Sequence, residues 1–247
     1  MLSIVVLHYN NESLTRECLG YLLNQNLEGI LHEVVVIDNG SEKPLGAFRD
    51  ARVVRLEENI GNIGGQNKCF EYANGDWVLF VSNDVEYFDT NAIRWLWKHK
   101  FSGQLMPLIL DPAPTWKIQS SGGDYVWPGY GINRTSASSF MLCDYCPSIT
   151  YLMPKRLWEK VGGFDATLPM AYEDVDMGFK VECRCTDEAK VVHLGSATLK
   201  YTKKDRWRFH EGREKVILNN FSGINRCIRL KSMHAIDMFH NMIPVYK

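Results

Sequence analysis

The sequence predicts an α/β protein, with a mostly parallel sheet flanked by helices and followed by a helical C-terminal extension. Three observations carry this. Short apolar, β-branched runs without alternation recur through the first half, as in parallel strands buried on both faces. Segments with apolar residues at helical spacing separate them. The runs also end in polar clusters, Tyr9-Asn10, Asp38-Asn39 and Asn83-Asp84. In open sheets of this kind ligands bind beyond the carboxyl ends of the strands, so topology alone would bring those clusters to one rim.

The elements follow in order. Ser3 to Leu7 is the first strand, ended by the turn formers His8 to Asn11. Leu14, Cys18, Leu19 and Leu22 then mark a helix, with Ser13 as the expected N-cap. Val34 to Ile37 is the second strand and Val53 to Leu56 the third. Asn59 to Lys68 is rich in Gly and Asn and runs into a helical stretch, Cys69 to Ala73. Trp77 to Val81 is the fourth strand. Ser120 to Ser139 has no period and is longer than ordinary connections, as functional or mobile loops are. Ile149 to Met153 predicts a strand, and Lys155 to Val161 a helix ended by Gly162-Gly163. Glu173, Asp174 and Asp176 open a further helix, where the dipole welcomes acidic side chains.

Composition excludes several classes. With 247 residues, 45% hydrophobic and 23% charged, the chain is an ordinary globular protein rather than a disordered or fibrous one. A net charge of -1 argues against a general nucleic-acid binder. No run approaches a membrane span, and the N-terminus lacks the basic start and cleavage site of a signal peptide, so a cytoplasmic location is expected. Seven cysteines without framework spacing read as reduced thiols. Cys143-x-x-Cys146 with Cys183-x-Cys185 is the pattern to test for a zinc site. Lys200 to Lys231 carries ten Lys+Arg against three Asp+Glu. Its basic residues interleave with Trp207, Phe209, Ile217, Phe221 and Ile224. That pattern suits either a helix docked on the domain or one lying peripherally on an anionic membrane, at its inner face.

Four segments together resemble the family 2 glycosyltransferases of GT-A fold, and most of all their rhamnosyltransferase-like branch. They are Ser3-Ile-Val-Val-Leu-His-Tyr-Asn10; Val35-Val-Ile-Asp-Asn-Gly-Ser41; Asn59-Ile-Gly-Asn-Ile-Gly-Gly-Gln-Asn67 with Gly75-Asp-Trp-Val-Leu-Phe-Val-Ser-Asn-Asp84; and Val161-Gly-Gly-Phe-Asp165 with Tyr172-Glu-Asp-Val-Asp176. The resemblance implies a GT-A domain over residues 1–199. Residues 1–100 would form its nucleotide- and metal-binding half and 101–199 its acceptor and catalytic half. Residues 200–247 would be the basic helical extension.

The resemblance also implies roles. Asp84 and His193 would hold Mn2+ or Mg2+, although Ser82 stands where the family's acidic motif often begins with Asp. Tyr9 would stack on the base and Asp38 hydrogen-bond it, with Asn10, Gly64, Asn67 and Asn83 completing the nucleotide-sugar site. Asp174 would be the general base of an inverting transfer and Glu173 the second candidate, while Asp176 would brace the helix. Carboxylates crowded together keep at least one proton toward neutral pH. Trp127 and Tyr130 are candidates for stacking on the acceptor sugar. The expected donor is a UDP- or dTDP-sugar, and the acceptor a glycan or lipid-linked hydroxyl in surface polysaccharide synthesis. A nucleotidyltransferase would need a basic, Gly-rich loop where His8 to Asn11 stands. The alternative is a non-catalytic relative that binds nucleotide or glycan as an assembly partner.

Overall fold

A computed structural model describes residues 1–87, 89–136, 140–169, 171–195 and 206–242. The expected boundary at residue 199 and the basic residues Lys200, Lys203 and Lys204 lie outside the described residues.

The chain begins β1 (Leu2–His8), α1 (Glu12–Leu23), β2 (His32–Asp38), β3 (Arg52–Arg55), α2 (Gly61–Tyr72) and β4 (Trp77–Ser82). It continues β5 (Val85–Glu86), α3 (Ala92–Lys98), β6 (Gln104–Leu110), β7 (Ile118–Ser120), β8 (Gly123–Val126), β9 (Tyr130–Asn133) and β10 (Met141–Cys143). Then come β11 (Thr150–Pro154), α4 (Lys155–Val161), α5 (Glu173–Gly178), β12 (Cys183–His193), α6 (Arg206–Asn220) and α7 (Gly223–Met242).

The main sheet runs β10-β12-β6-β11-β4-β1-β2-β3. Strands β3, β2, β1 and β4 are parallel neighbours. Leu2, Ile4, Val5, Val6, Val35, Val36 and Val78 to Val81 are essentially inaccessible, which is why these strands show no alternation. β11 joins β4 antiparallel, so the sheet is mixed beyond the first half. β5 pairs antiparallel with β12, aligning Val85 with His193. That pairing carries residues over a hundred positions apart to one place.

Several expectations are corrected. Asn11, not Ser13, caps α1, its side chain accepting from the Leu14 amide at 3.2 Å. The helical stretch expected from Cys69 starts earlier, within the Gly- and Asn-rich segment, because α2 runs Gly61–Tyr72. Packing requires it there: a Cβ on Gly65 would lie 2.7 Å from a Leu7 methyl. The aperiodic middle contains β7 and the β8–β9 hairpin. The four buried cysteines Cys143, Cys146, Cys183 and Cys185 are not among the described His, Cys, Asp and Glu that gather as a metal site requires. The Cys146 thiol donates instead to the Gln104 and Arg184 carbonyls, both at 3.7 Å.

An aromatic cluster holds the second half to the first. Phe70 of α2 stacks on Trp158 of α4 at 3.8 Å between ring centres, and Phe164 meets Trp158 edge-on at 4.8 Å. Such pairs add about 0.5–1.5 kcal/mol each beyond the area they bury. The cluster fixes the chain before α5, whose Glu173 and Asp174 face the sheet's rim.

Candidate functional site

An open cavity of about 1060 Å³ lies beyond the carboxyl ends of β1 and β4. Tyr9, Asn39, Asn59 to Gly64 and Ser82 to Asp84 line it from the first half. Gly131, Asn133, Tyr145, Ser148, Tyr172 to Val175 and His193 line it from the second, and Arg208 and Phe209 of α6 close one side.

On one wall Asp84 is buried, and its carboxylate meets the His193 Nε2 at 3.3 Å and the Ser82 hydroxyl at 2.6 Å. Burial alone would raise the Asp84 carboxyl, but the hydrogen bond and charge of His193, with the Ser82 hydroxyl, hold it below its usual range. The His193 Nδ1 faces the Gln119 Oε1 at 2.6 Å. The Gln119 amide donates to Asp111 at 3.1 Å, which fixes its oxygen toward the ring. The imidazole therefore donates from Nδ1 to Gln119 and turns Nε2 toward Asp84. A carboxylate facing an imidazole nitrogen whose partner nitrogen is anchored is a ligand pair with its orienting groups in place. Carboxylate oxygen with imidazole suits Mn2+ and, less well, Mg2+.

The opposite wall carries the acidic start of α5. Ala171 and Tyr172 both have positive φ, 94° and 73°. Non-glycine residues in this region cost on the order of 1–3 kcal/mol each and cluster at functional sites. The turn delivers Glu173 and Asp174 to the cavity. Burial pushes the Glu173 carboxyl up to about 8, with the Asp174 charge adding to it. Burial likewise pushes Asp174 up to about 6, against the opposing backbone hydrogen bond from Val175. The Glu173 Oε2 and the Ser148 hydroxyl are both buried without a hydrogen-bond partner, and both residues line the cavity. Asp176 faces away. It takes Lys180 at 2.8 Å and the Asn220 amide at 2.9 Å, tying α5 to α6.

Not every expected site residue reaches the cavity. Tyr9, Gly64, Asn83, Asp84, Glu173, Asp174 and His193 line it. Asp38 does not. It is fully buried, with its oxygens taken by the Ser41 amide at 3.0 Å, the Leu45 amide at 3.2 Å and Arg55 at 2.6 Å. Those partners hold its carboxyl low although burial works the other way. Asp38 thus braces the loop after β2 rather than presenting a free edge to a base.

Asn10 is a loop brace too, accepting from the Glu42 amide at 2.8 Å. Asn67 clamps α2 to Phe164, donating to its carbonyl and accepting from its amide, both at 3.0 Å. Trp127 and Tyr130 turn to the C-terminal helices, with Arg229 over the Trp127 ring at 4.6 Å and Arg213 over Tyr130 at 4.5 Å. A guanidinium covers one face of each ring, and neither residue lines the cavity, although Trp127 stays half exposed.

Asn59, Asn133, Tyr145, Ser148 and Arg208 were not anticipated, and Asn39 was expected at the rim only as part of its strand-ending cluster. Strand alternation offered a signal for Asn39, since successive residues point to opposite sides. With Asp38 turned into the core, Asn39 turns to the cavity side, itself buried. There it accepts from the Ile60 amide at 3.2 Å and donates to Asn59 and the Gly61 carbonyl at 3.1 and 3.0 Å, shaping the start of α2.

Comparison with known proteins agrees with this architecture. Residues 3–99 match the family described as "Glycosyl transferase family 2". A curated relative, the poly(ribitol-phosphate) beta-glucosyltransferase of Bacillus spizizenii, is 32% identical over 105 residues, 38% of this chain and 16% of the relative. The aligned part thus spans about a sixth of that relative's length. S. aureus TarS 1-349 in complex with UDP-GlcNAc aligns with a TM-score of 0.63 at 20% identity, over 99% of this chain and 76% of that one. The mannosyltransferase PcManGT from Pyrobaculum calidifontis, in complex with GDP-Man and Mn2+, aligns with a TM-score of 0.60 at 13% identity, over 99% and 76%. Neither this relative nor these structures bears a rhamnosyltransferase name, so the narrower branch is not supported. Residues 3–99 thus match the model of that family, and the chain as a whole has the GT-A fold.

Proposed function

We propose that the chain is an inverting, metal-dependent glycosyltransferase that moves a sugar from a nucleotide-diphospho-sugar to an acceptor hydroxyl. One observation carries the reading: Asp84 with its oriented His193, and the raised carboxyls Glu173 and Asp174, line the same open cavity. Asp84 and His193 would hold Mn2+ or Mg2+, which supplies counter-charge for a leaving diphosphate. Tyr9, exposed at the rim, offers a ring face to a base. Asn83, Gly64 and the N-terminal turn of α2 line the donor side, and Arg208 adds a cation to the opposite edge.

Asp174 takes the proton of the acceptor hydroxyl. A carboxyl titrating near about 6 is ionised at neutral pH yet basic enough for the transfer. Glu173, held higher, keeps its proton at neutral pH and suits hydrogen-bond donation.

The donor is a UDP-sugar or a related nucleotide sugar, as in the TarS complex. The relative's name directs attention to an acceptor bearing polyol phosphates, and the basic stretch Lys200 to Lys231 suits an anionic polymer. Surface polysaccharide synthesis at the inner face of a membrane fits this. Leu218, Ile224 and Ile228 are exposed on the C-terminal helices, and among the described residues no helix is long and apolar enough to cross a membrane. Flotation with anionic against neutral vesicles tests the peripheral contact.

The central experiment is a thermal-shift panel of UDP, dTDP, GDP and CDP with and without Mn2+, followed by donor-consumption assays. A ligand at 100 times its Kd stabilises by about 2.7 kcal/mol. The expected result is a Mn2+-dependent shift with one nucleotide, absent in Asp84→Ala, and turnover lost in Asp174→Ala with binding retained. Binding without turnover in the unmodified chain, across donors and polyol-phosphate acceptors, would favour the non-catalytic relative.

A further inference from the structure

The α6–α7 hairpin gathers a second set of ligating side chains. His210 and Glu214 are four residues apart on α6, which puts them on one face of that helix. His234 comes from α7, its Nε2 3.9 Å from the Glu214 Oε1. The His210 and His234 rings face one another at 5.2 Å and 28°. One ligand atom from each of the three residues lies within 4.8 Å of the other two, a grouping found nowhere else among the described residues.

We propose that His210, Glu214 and His234 bind a divalent transition ion of the Zn2+ class, which staples α7 onto α6. Two imidazoles and one carboxylate are an established donor set for Zn2+, with a fourth position left to water. The same set is poor for Mg2+ or Ca2+, which demand oxygen cages. Ligands about 2.1 Å from a tetrahedral ion stand roughly 3.4 Å apart. The three donors therefore have to close by no more than about 1.4 Å. His234 and Glu214, 48% and 38% exposed, have room to rotate toward a shared ion. Without an ion, an exposed pair at 3.9 Å adds little to stability.

The position gives the staple a consequence. Arg208 and Phe209, immediately before His210, line the cavity. Lower on the same helix, Lys215 donates to the Thr167 carbonyl at 2.6 Å and Asn220 holds Asp176. An ion at His210 thus immobilises the turn that forms one side of the cavity, without touching the Asp84 and His193 wall.

The test uses the full chain stripped by chelator and titrated with Zn2+ by calorimetry, and with Co2+ by visible absorption. It needs no transferase activity. The expected result is micromolar Zn2+ binding, a tetrahedral Co2+ spectrum, and slower proteolysis across α7 with Zn2+ present. His234→Ala and Glu214→Gln should each weaken this by about tenfold or more, whereas Asp84→Ala should leave it intact. Cys227→Ser removes the exposed thiol of α7 and should also leave it intact. Both ligand variants change partly exposed helix positions, and circular dichroism checks that they fold. Absence of Zn2+ binding to the unmodified chain, equal binding by His234→Ala, or loss of binding in Cys227→Ser would each overturn the proposal.

Discussion

Replacing Asp174 by Asn tests the chemistry and the energetics of the cavity together. Asn keeps the size of the side chain and can still accept from the Val175 amide, which Asp174 does now at 2.8 Å, but it cannot take a proton. Loss of a general base costs about 10²- to 10⁴-fold in kcat. Stability should move the other way. Burial raises the folded carboxyl from 3.8 to about 6, a gap corresponding to about 3 kcal/mol. The native state binds that proton more tightly than the unfolded chain does. Stability from this group is therefore highest below 3.8, falls as pH rises to about 6 and then stays low. At pH 7–8 the Asn variant should be more stable by up to about 3 kcal/mol, raising Tm by roughly 6–12 °C for a chain of this size. The assays are donor consumption and calorimetric melting from pH 5 to 8. In the unmodified chain kcat should rise through about pH 6 and level off. Glu173→Gln should leave that limb in place, whereas a base at Glu173 would put it near about 8. Activity of Asp174→Asn within tenfold of the parent, or a Tm unchanged or lowered at pH 8, would refute the reasoning.

Three further changes test the supporting structure. Gln119→Ala frees the His193 ring from its 2.6 Å partner and should weaken Mn2+ binding about 10- to 100-fold, measured by the free-ion signal in electron paramagnetic resonance. Arg55→Ala leaves the fully buried Asp38 without its cation. Because Arg55 is 38% exposed and Asp38 keeps the Ser41 and Leu45 amides, urea unfolding should show a loss of about 1–3 kcal/mol at pH 7. Because Asp38 is held low in the native state, the stability it contributes is present above its ordinary 3.8 and lost as pH falls below that. Gly178→Ala would drive a Cβ into the backbone carbonyl oxygen of Asp144 at the end of α5, and a melting-temperature drop equivalent to about 2 kcal/mol or more should follow.

Much of the first half was legible in the residues. Short, β-branched apolar runs bounded by turn formers, such as Val34 to Ile37 and Trp77 to Val81, read as strands covered on both faces, and β1, β2 and β4 appear within a residue or two of their expected bounds. Gly162, with φ of 79°, ends α4 where the pattern places the end. These are local effects, set by side chains a few residues apart. The resemblance also led to Tyr9, Asp84, Glu173, Asp174 and His193, all of which line the cavity.

What local pattern could not decide was which polar side chain faces the cavity and which is consumed in bracing it. Asp38 and Asn67 look like ligands in the sequence. Each is spent on a contact with a partner remote in the chain, Arg55 and Phe164. Trp127 and Tyr130 are taken up by arginines from helices about a hundred residues further on. Conversely, His193 acquires its meaning only because β12 pairs with β5 and so lays it against Asp84, with Gln119 behind it. The strands, the parallel core and the rim where polar residues collect follow from hydrophobic burial and short-range backbone preference, and these are local properties of the chain. The hydrogen-bond partners come from the folded neighbourhood, since each buried polar atom must be satisfied by whatever the fold carries to it, and that neighbour is not written in the residues on either side.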